Sequence, residues 1–312
     1  MRAIEELRIP ESSDKSEMGS VVTIGVFDGV HRGHMHLINN LKNNSNRMQS
    51  IIITFRQHPL SILDSSFTPE YLCSVEDRLM MLKNTGIDVL IAIDFDREIS
   101  ELTAKGFIQL LCKNVNLKTL VVGPGFALGH KREGDIPTLR KLGKEHGFNL
   151  KVVNPLIQQA SLITSTSIRQ ALKNGEIQKA TDLLGRKFEL KGTIVKGDGI
   201  GNTIGFPTAN LISDGNIMIP NDGIYATWAY FNDSSGEKKK MSATSIGIRP
   251  TFGKGHRTVE SYILDYQGDL YGQTMTLEFV KRIREQVQYQ SVDLLIDQMN
   301  LDVSDIREIL DN

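Results

Sequence analysis

The chain has 312 residues, with 36 Lys and Arg against 37 Asp and Glu, a formal net charge of −1. That balance gives no general attraction to nucleic acid or to an anionic membrane, so any affinity for phosphate has to be local. Forty per cent of the residues are hydrophobic, ordinary for a soluble protein, and the length exceeds the roughly 150 residues usual for one domain, so two are expected.

No apolar run approaches the roughly 18 residues that span a bilayer. The start, MRAIEELRIP, carries acids where an exported chain needs an apolar stretch. Cys73 and Cys112 match no metal or redox spacing and read as thiols of a reducing cytoplasm. A cytoplasmic protein is the expectation.

Taken in order, the first half alternates β-branched runs with helical patterns. Val21–Val26, Gln49–Phe55, Asp88–Ile93, Lys118–Val122 and Leu150–Val153 read as buried strands. His34–Leu41, Glu76–Lys83, Ala104–Lys113 and Thr138–His146 place apolar residues at helical spacing, with Gly86 and Gly147 where helices stop. Alternating β and α elements predict a doubly wound α/β domain on a parallel sheet, with ligands at the carboxyl ends of its strands.

Two more helical patterns, Thr166–Lys173 and Glu176–Leu184, end at Gly175 and Gly185. Beyond them Phe188–Lys196, Ile224–Phe231, Lys240–Ile246, Thr258–Asp265 and Thr274–Lys281 read as strands with no helix between. That texture predicts an antiparallel barrel or sandwich. Helical patterns at Val292–Met299 and Asp305–Leu310 close the chain. The boundary is set near Gly185, giving domains 1–184 and 185–312.

VVTIGVFDGVHRGHMHLINNL reads as strand, turn and helix start. A helix N-terminus offers unpaired N–H groups and a positive dipole end, Gly33 allows a close backbone approach, and His31 and His34 can donate to phosphate oxygens. A bare H-x-x-H is also compatible with a metal pair or with surface histidines; no third ligand stands at metal spacing. The glycine-rich GDGIGNTIG, with Gly197, Gly199, Gly201 and Gly205, is compatible with a phosphate cradle or a plain hairpin. In the following FPTANL, Thr208 and Asn210 would point to one face if extended, offering two neutral oxygens to Mg²⁺.

GVFDGVHRGH resembles the H-x-G-H phosphate motif of nucleotidylyltransferases in the form found in prokaryotic FAD synthetases. TFRQHPLSIL, CSVEDRLMMLKNTGIDVLIAIDFD, VVGPGFALGHKREGD and ITSTSIRQAL follow in family order. The resemblance implies adenylyl transfer from ATP to FMN. Gly25, Phe27, Asp28 and Gly33 would lie around ATP, and His31 and His34 at its α- and β-phosphates. Ser165, Thr166 and Arg169 would hold the triphosphate and the leaving pyrophosphate, and Phe55, His58 and Phe126 would line the flavin side. Gly125, Ala127 and Ser167 depart from the family pattern and bear on flavin affinity.

GDGIGNTIGFPTANL resembles the riboflavin kinase signature, continued by IPNDGIYAT, SIGIRPTFG and VESYILDYQGDLYGQTMTLEFVKRIRE. By that resemblance Glu260 is the base for the riboflavin 5′-hydroxyl, Thr208 and Asn210 hold Mg²⁺, and Arg249 and Thr251 help to enclose ligand. Asn202, Ser245 and Tyr262 depart from the family, with Lys196 or Lys254 as replacement cations. The implied protein is bifunctional, taking riboflavin and FMN as substrates with ATP and releasing FAD and pyrophosphate. Its rivals are an adenylyltransferase with a silent kinase half and a flavin sensor without turnover.

Overall fold

The computed structural model describes residues 18–311, apart from 65, 159–160, 198–199, 214, 235 and 249–256. Two units divide the chain: one contains the stretch ending at Pro69 together with Val75–Thr164, the other Glu70–Ser74 and everything from Ser165.

In the first unit, strands β1 (Ser20–Gly25), β2 (Gln49–Phe55), β3 (Val89–Ile93), β4 (Leu117–Val122) and β5 (Asn149–Val152) form one sheet in the order β3-β2-β1-β4-β5. Every pairing is parallel. The central strands β1 and β2 are buried almost throughout, as a sheet covered on both faces requires. Helix α1 (Arg32–Ser45) covers one face through Ile38 and Leu41, and α5 (Ala104–Val115) the other through Phe107, Ile108 and Leu111. Between them lie α2 (Pro59–Leu63), α3 (Val75–Lys83) and α4 (Arg97–Glu101), and α6 (Ile136–His146) precedes β5. A two-stranded hairpin of β6 (Ile157–Gln158) and β7 (Ser161–Leu162) follows. The expected parallel sheet is present; α2, α4 and the hairpin are too short to leave a periodic signal. Gly147 caps α6 at φ 75°, the left-handed geometry that favours glycine there.

The second unit begins with α7 (Ser165–Lys173) and α8 (Ile177–Leu184), which pack on each other. Strands β8 (Phe188–Val195), β9 (Thr208–Ser213), β10 (Gly223–Asp233), β11 (Gly236–Ile248), β12 (Arg257–Ile263) and β13 (Thr274–Arg284) close into a barrel, resolving the choice between barrel and sandwich. Burial alternates along β8 and β12, the period-two signature of strands with one face inward. The glycine-rich loop contains one helical turn, α9 (Ile200–Thr203), and TANL opens the extended β9.

The chain ends in a single helix, α10 (Val292–Asp311), rather than in the two expected at Val292–Met299 and Asp305–Leu310. Asp302 lies buried within it, and Arg284 donates to its two carboxylate oxygens at 2.8 and 2.6 Å, with Gln298 adding a third bond. A bidentate ion pair offsets the desolvation of that carboxylate, so a polar residue sits mid-helix without ending it. Helix α10 covers Ala226, Ala243 and Tyr262 on the outside of the barrel.

Candidate functional site

Between β1 and α1 the backbone is contorted. Phe27 and Val30 adopt φ of 55° and 38°, and Gly29 between them 76°. Left-handed geometry is uncommon for non-glycine residues and a genuine outlier for a β-branched valine, and such strain persists only where the surroundings enforce it. Phe27 and Asp28 are almost fully buried and anchor the turn. It delivers His31 to the N-cap of α1, where Nδ1 accepts the His34 backbone N–H at 3.3 Å. An Nδ1 that accepts leaves the proton of a neutral imidazole on Nε2.

His31 and His34 are stacked, with ring centroids 3.6 Å apart and planes 18° from parallel, and Phe27 meets His34 edge-on at 5.2 Å. Burial, then the neighbouring His31 and Arg78, hold the His34 pKa well below its ordinary value. Its Nδ1 is buried and has no hydrogen-bond partner among the described residues. Gly33 has a packing reason for its lack of side chain: a Cβ there would stand 2.7 Å from the Ile163 carbonyl oxygen. Among the described residues no three His, Cys, Asp or Glu side chains group as a metal cage.

Arg78 is a contributor that motif reading missed. Its side chain is 1% exposed, and Nη2 donates to the carbonyls of Phe55 at 2.7 Å and Arg56 at 3.0 Å, fixing the end of β2. The available signal was its helical spacing to Leu82, both on the buried side of α3. Phe55 meets Phe95 edge-on at 5.4 Å, and Phe55 and Phe126 both pack against the core beneath the sheet. His58 serves as N-cap of α2, its Nδ1 accepting from Leu60 N. Gly25 packs under the Phe27 ring. In the loop that departs from the family, Arg132 donates to the Gly125 carbonyl at 3.0 Å.

Ser165, Thr166 and Arg169 stand on α7, in the second unit. Ser165 and Thr166 occupy the first turn, where backbone N–H groups are unpaired within the helix. Arg169 Nε donates to the Glu70 carbonyl at 2.7 Å, and Lys173 pairs with the Glu70 carboxylate at 2.6 Å.

The barrel brings a second set together. Glu260 on β12 is directly opposite Asn210 on β9 and Ser245 on β11, and Tyr262 is opposite Thr208. Thr208 and Asn210 therefore share a face with the carboxylate, as their spacing predicts for a strand. Thr258 Oγ1 donates to Glu260 Oε1 at 3.2 Å, and Thr208 Oγ1 to Oε2 at 3.5 Å. The glycine loop lies on the same residues. A side chain at Gly197 would overlap the Asn210 amide, and one at Gly201 would overlap the Phe206 carbonyl and reach Thr208 Oγ1. Gly205 adopts φ 87°. A cavity of about 450 Å³ opens beside Thr208, lined also by Ile194, Pro207, Tyr266, Leu270 and Tyr271.

Two of the family departures acquire physical reasons. Tyr262 packs edge-on against Phe206 at 5.2 Å and under α10. Ser245 Oγ accepts from Gln286 Nε2 at 3.0 Å. Lys196 lies 5.8 Å from the centre of the Tyr271 ring. Gly199, Arg249, Thr251 and Lys254 lie outside the described residues, as does the Asn202 side chain.

Comparison with known proteins agrees in both halves. Residues 13–167 match the FAD synthetase family and residues 184–310 the riboflavin kinase family. The chain is 36% identical over 299 residues to the bifunctional riboflavin kinase/FMN adenylyltransferase of Escherichia coli (strain K12), covering 95% of this chain and 94% of that protein. It is 30% identical over 306 residues to the protein of the same name in Listeria monocytogenes, with 96% of each covered. A solved structure titled as a macrolide-efflux protein from Streptococcus pneumoniae superposes with a TM-score of 0.85 at 28% identity, covering 98% of this chain and 97% of that one. Among the described residues no helix is long and apolar enough to cross a membrane. With both family matches in order along one chain, and relatives at this identity over nearly its whole length, the chain belongs to the bifunctional riboflavin kinase/FMN adenylyltransferase family.

Proposed function

We infer that this chain makes flavin coenzymes in two steps, phosphorylating riboflavin to FMN and then adenylylating FMN to FAD, with ATP as co-substrate of both. The observation that carries the first step is the row Asn210, Glu260 and Ser245 across three adjacent strands, with the glycine loop packed onto Asn210 and Thr208. The reading places both reactions in the cytoplasm, in keeping with the sequence.

In the kinase half, Glu260 accepts the proton of the riboflavin 5′-hydroxyl as its oxygen bonds to the γ-phosphorus of ATP, and the bond to the β-phosphate oxygen breaks to release ADP. The hydrogen bonds from Thr208 and Thr258 hold the carboxylate in one orientation. The cavity beside Thr208 suits the nucleotide base. Thr208 Oγ1 and Asn210 Oδ1 would hold Mg²⁺, which when bound neutralises charge on the phosphate oxygens. Two neutral oxygens on one face fit that ion, because Mg²⁺ retains waters and substrate phosphates instead of a full protein cage.

In the adenylyltransferase half, a phosphate oxygen of FMN attacks the α-phosphorus of ATP and pyrophosphate leaves. No covalent nucleophile on the protein is needed, so positioning and charge stabilisation carry the step. His31, with its proton on Nε2, and His34 are the donors we assign to the α- and β-phosphates. Gly25, Phe27, Asp28 and Gly33 shape the turn under the nucleotide. Ser165, Thr166 and Arg169 are assigned to the triphosphate tail and the leaving group. Phe55, His58 and Phe126 are assigned to the flavin, and Gly197, Gly199, Gly201 and Gly205 to the kinase phosphates, with Arg249 and Thr251 closing over the ligand.

The test is chromatographic separation of flavins after incubating purified protein with Mg²⁺ and ATP, started separately from riboflavin and from FMN. FAD from both starting points is expected. FAD from FMN alone would remove the kinase step from this reading, and neither product would overturn it.

A further inference from the structure

Gln286 lies in the segment between β13 and α10 and belongs to no motif discussed above. Its amide is fixed at two points. Nε2 donates to Ser245 Oγ at 3.0 Å, and the amide fills the notch that Gly247 leaves in β11, where any Cβ would overlap it.

The pairing of β11 with β12 says where that places the amide. Ser245 is opposite Glu260 and Gly247 is opposite Thr258. Opposed residues of an antiparallel pair share a face, as do residues two apart on one strand. Ser245, Gly247, Thr258 and Glu260 therefore form one patch, continued by Asn210 on β9. The patch faces outward, because the alternate residues Thr244, Ile246, Val259 and Ser261 are buried inside the barrel. Helix α10 packs on the neighbouring part of this face at Ala243 and Tyr262. The amide thus stands diagonal to Glu260 on the outward face, a neighbour relation of about 7–8 Å between strand positions and within reach of long side chains.

Among the described residues Ser245 is the only side-chain hydrogen-bond partner of the exposed Gln286, and Oε1, which lies against Gly247, accepts no hydrogen bond from them. Its position is set before any ligand arrives, which lowers the entropy lost when it takes a hydrogen bond. The substrate assigned to Glu260 is a flat ring on a polyhydroxyl chain. With the terminal hydroxyl at the carboxylate, the preceding hydroxyls lie several ångströms away along the same face, and a neutral acceptor is the matching group for them.

Resting on the kinase reading above, we propose that Gln286 binds the ribityl chain of riboflavin, Oε1 accepting from a chain hydroxyl while Nε2 stays on Ser245. Gln286 is then a substrate-binding residue that selects flavins bearing the chain over the bare ring.

The experiment is steady-state kinase kinetics on the full chain and its Gln286→Ala variant, with lumiflavin, a ring-only flavin, as competitor. Loss of this hydrogen bond should raise KM for riboflavin about tenfold and leave KM for ATP within about a factor of two. The inhibition constant of lumiflavin and the rate of FMN adenylylation should not change. An unchanged KM for riboflavin overturns the proposal. So does a loss of lumiflavin affinity in step with riboflavin, which would make Gln286 a support for the pocket as a whole. A Glu260→Gln variant assayed alongside separates the two levels of failure. Full kinase activity in that variant removes the assignment of the base, whereas its inactivity beside an unaffected Gln286→Ala removes only the role of Gln286.

Discussion

The two halves of this chain assemble their proposed phosphate sites by opposite routes. In the first, one continuous stretch holds most of the assigned residues: a strained turn, a histidine N-cap and a second histidine three residues on, stacked at 3.6 Å. In the second, the residues that meet come from different strands, with Thr208 and Glu260 separated by 52 positions in sequence and joined only by barrel register. A site written into one turn depends on local backbone conformation. A site written into register depends on the whole barrel, because a slip of one residue would move every side chain to the other face. Both halves use glycine in the same way. Gly33 lies against the Ile163 carbonyl and Gly197 against the Asn210 amide, so the protein's own packing already demands them.

The sharpest way to break this comparison is to disable one half and watch the other. Glu260→Gln keeps the shape and removes the proposed base, and should lower the rate of riboflavin phosphorylation by about 10²–10⁴. FMN adenylylation by the same variant should continue at the parent rate. Conversely, His34→Ala should lower FAD formation from FMN by about 10²–10³, the range for losing one charge-stabilising donor, with phosphorylation intact. If either substitution removes both activities from a folded protein, the two sites are not separate.

A smaller effect sharpens the claim that the first site depends on local backbone. Gly33→Ala puts a methyl group 2.7 Å from a backbone carbonyl that cannot rotate away. Forced overpacking of this kind costs about 1–3 kcal/mol, which urea unfolding should register, along with a larger loss of adenylylation than of kinase activity. A variant as stable as the parent would show that the Ile163 segment yields freely.

These contrasts also explain what could be read in advance. The parallel sheet followed from β-branched runs alternating with helical spacing, and the strand at Gln49–Phe55 has the expected limits. The His31–His34 pair was legible because its geometry is local. Glu260 was not: in a strand of alternating burial it looks like any solvent-facing glutamate, and only its place in a family motif marked it. Arg78 escaped because a buried arginine is defined by the carbonyls it finds, those of Phe55 and Arg56, which lie on another element. The two helical patterns at Val292–Met299 and Asp305–Leu310 are one helix for the same reason, since Asp302 between them finds its partner Arg284 on β13. What sequence hides here are polar groups whose partners are distant in the chain.

The smallest expected effect concerns protons and belongs to the first half alone. Burial, His31 and Arg78 together lower the pKa of His34, so the folded chain keeps that ring neutral below the ordinary histidine value of about 6.5. The unfolded chain has no such restraint and takes up a proton as the pH falls through that value. Below it the unfolded state binds more protons than the folded one, and stability declines with falling pH until the folded ring also titrates. His34 thus contributes nothing to the pH dependence above roughly 7 and destabilises the fold on the acid side. His34→Gln removes the titrating group while keeping a polar side chain, so its melting temperature should fall less than the parent's between pH 7.5 and 5.5. Equal losses in the two proteins would mean that His34 charges as easily folded as unfolded, and the buried, stacked arrangement of the pair would then be wrong for the free enzyme. ATP should act in the opposite direction, because phosphate oxygens beside the ring favour its charged form. Saturating nucleotide should therefore shrink the difference between parent and variant at pH 5.5, and only a site that places His34 against phosphate predicts that.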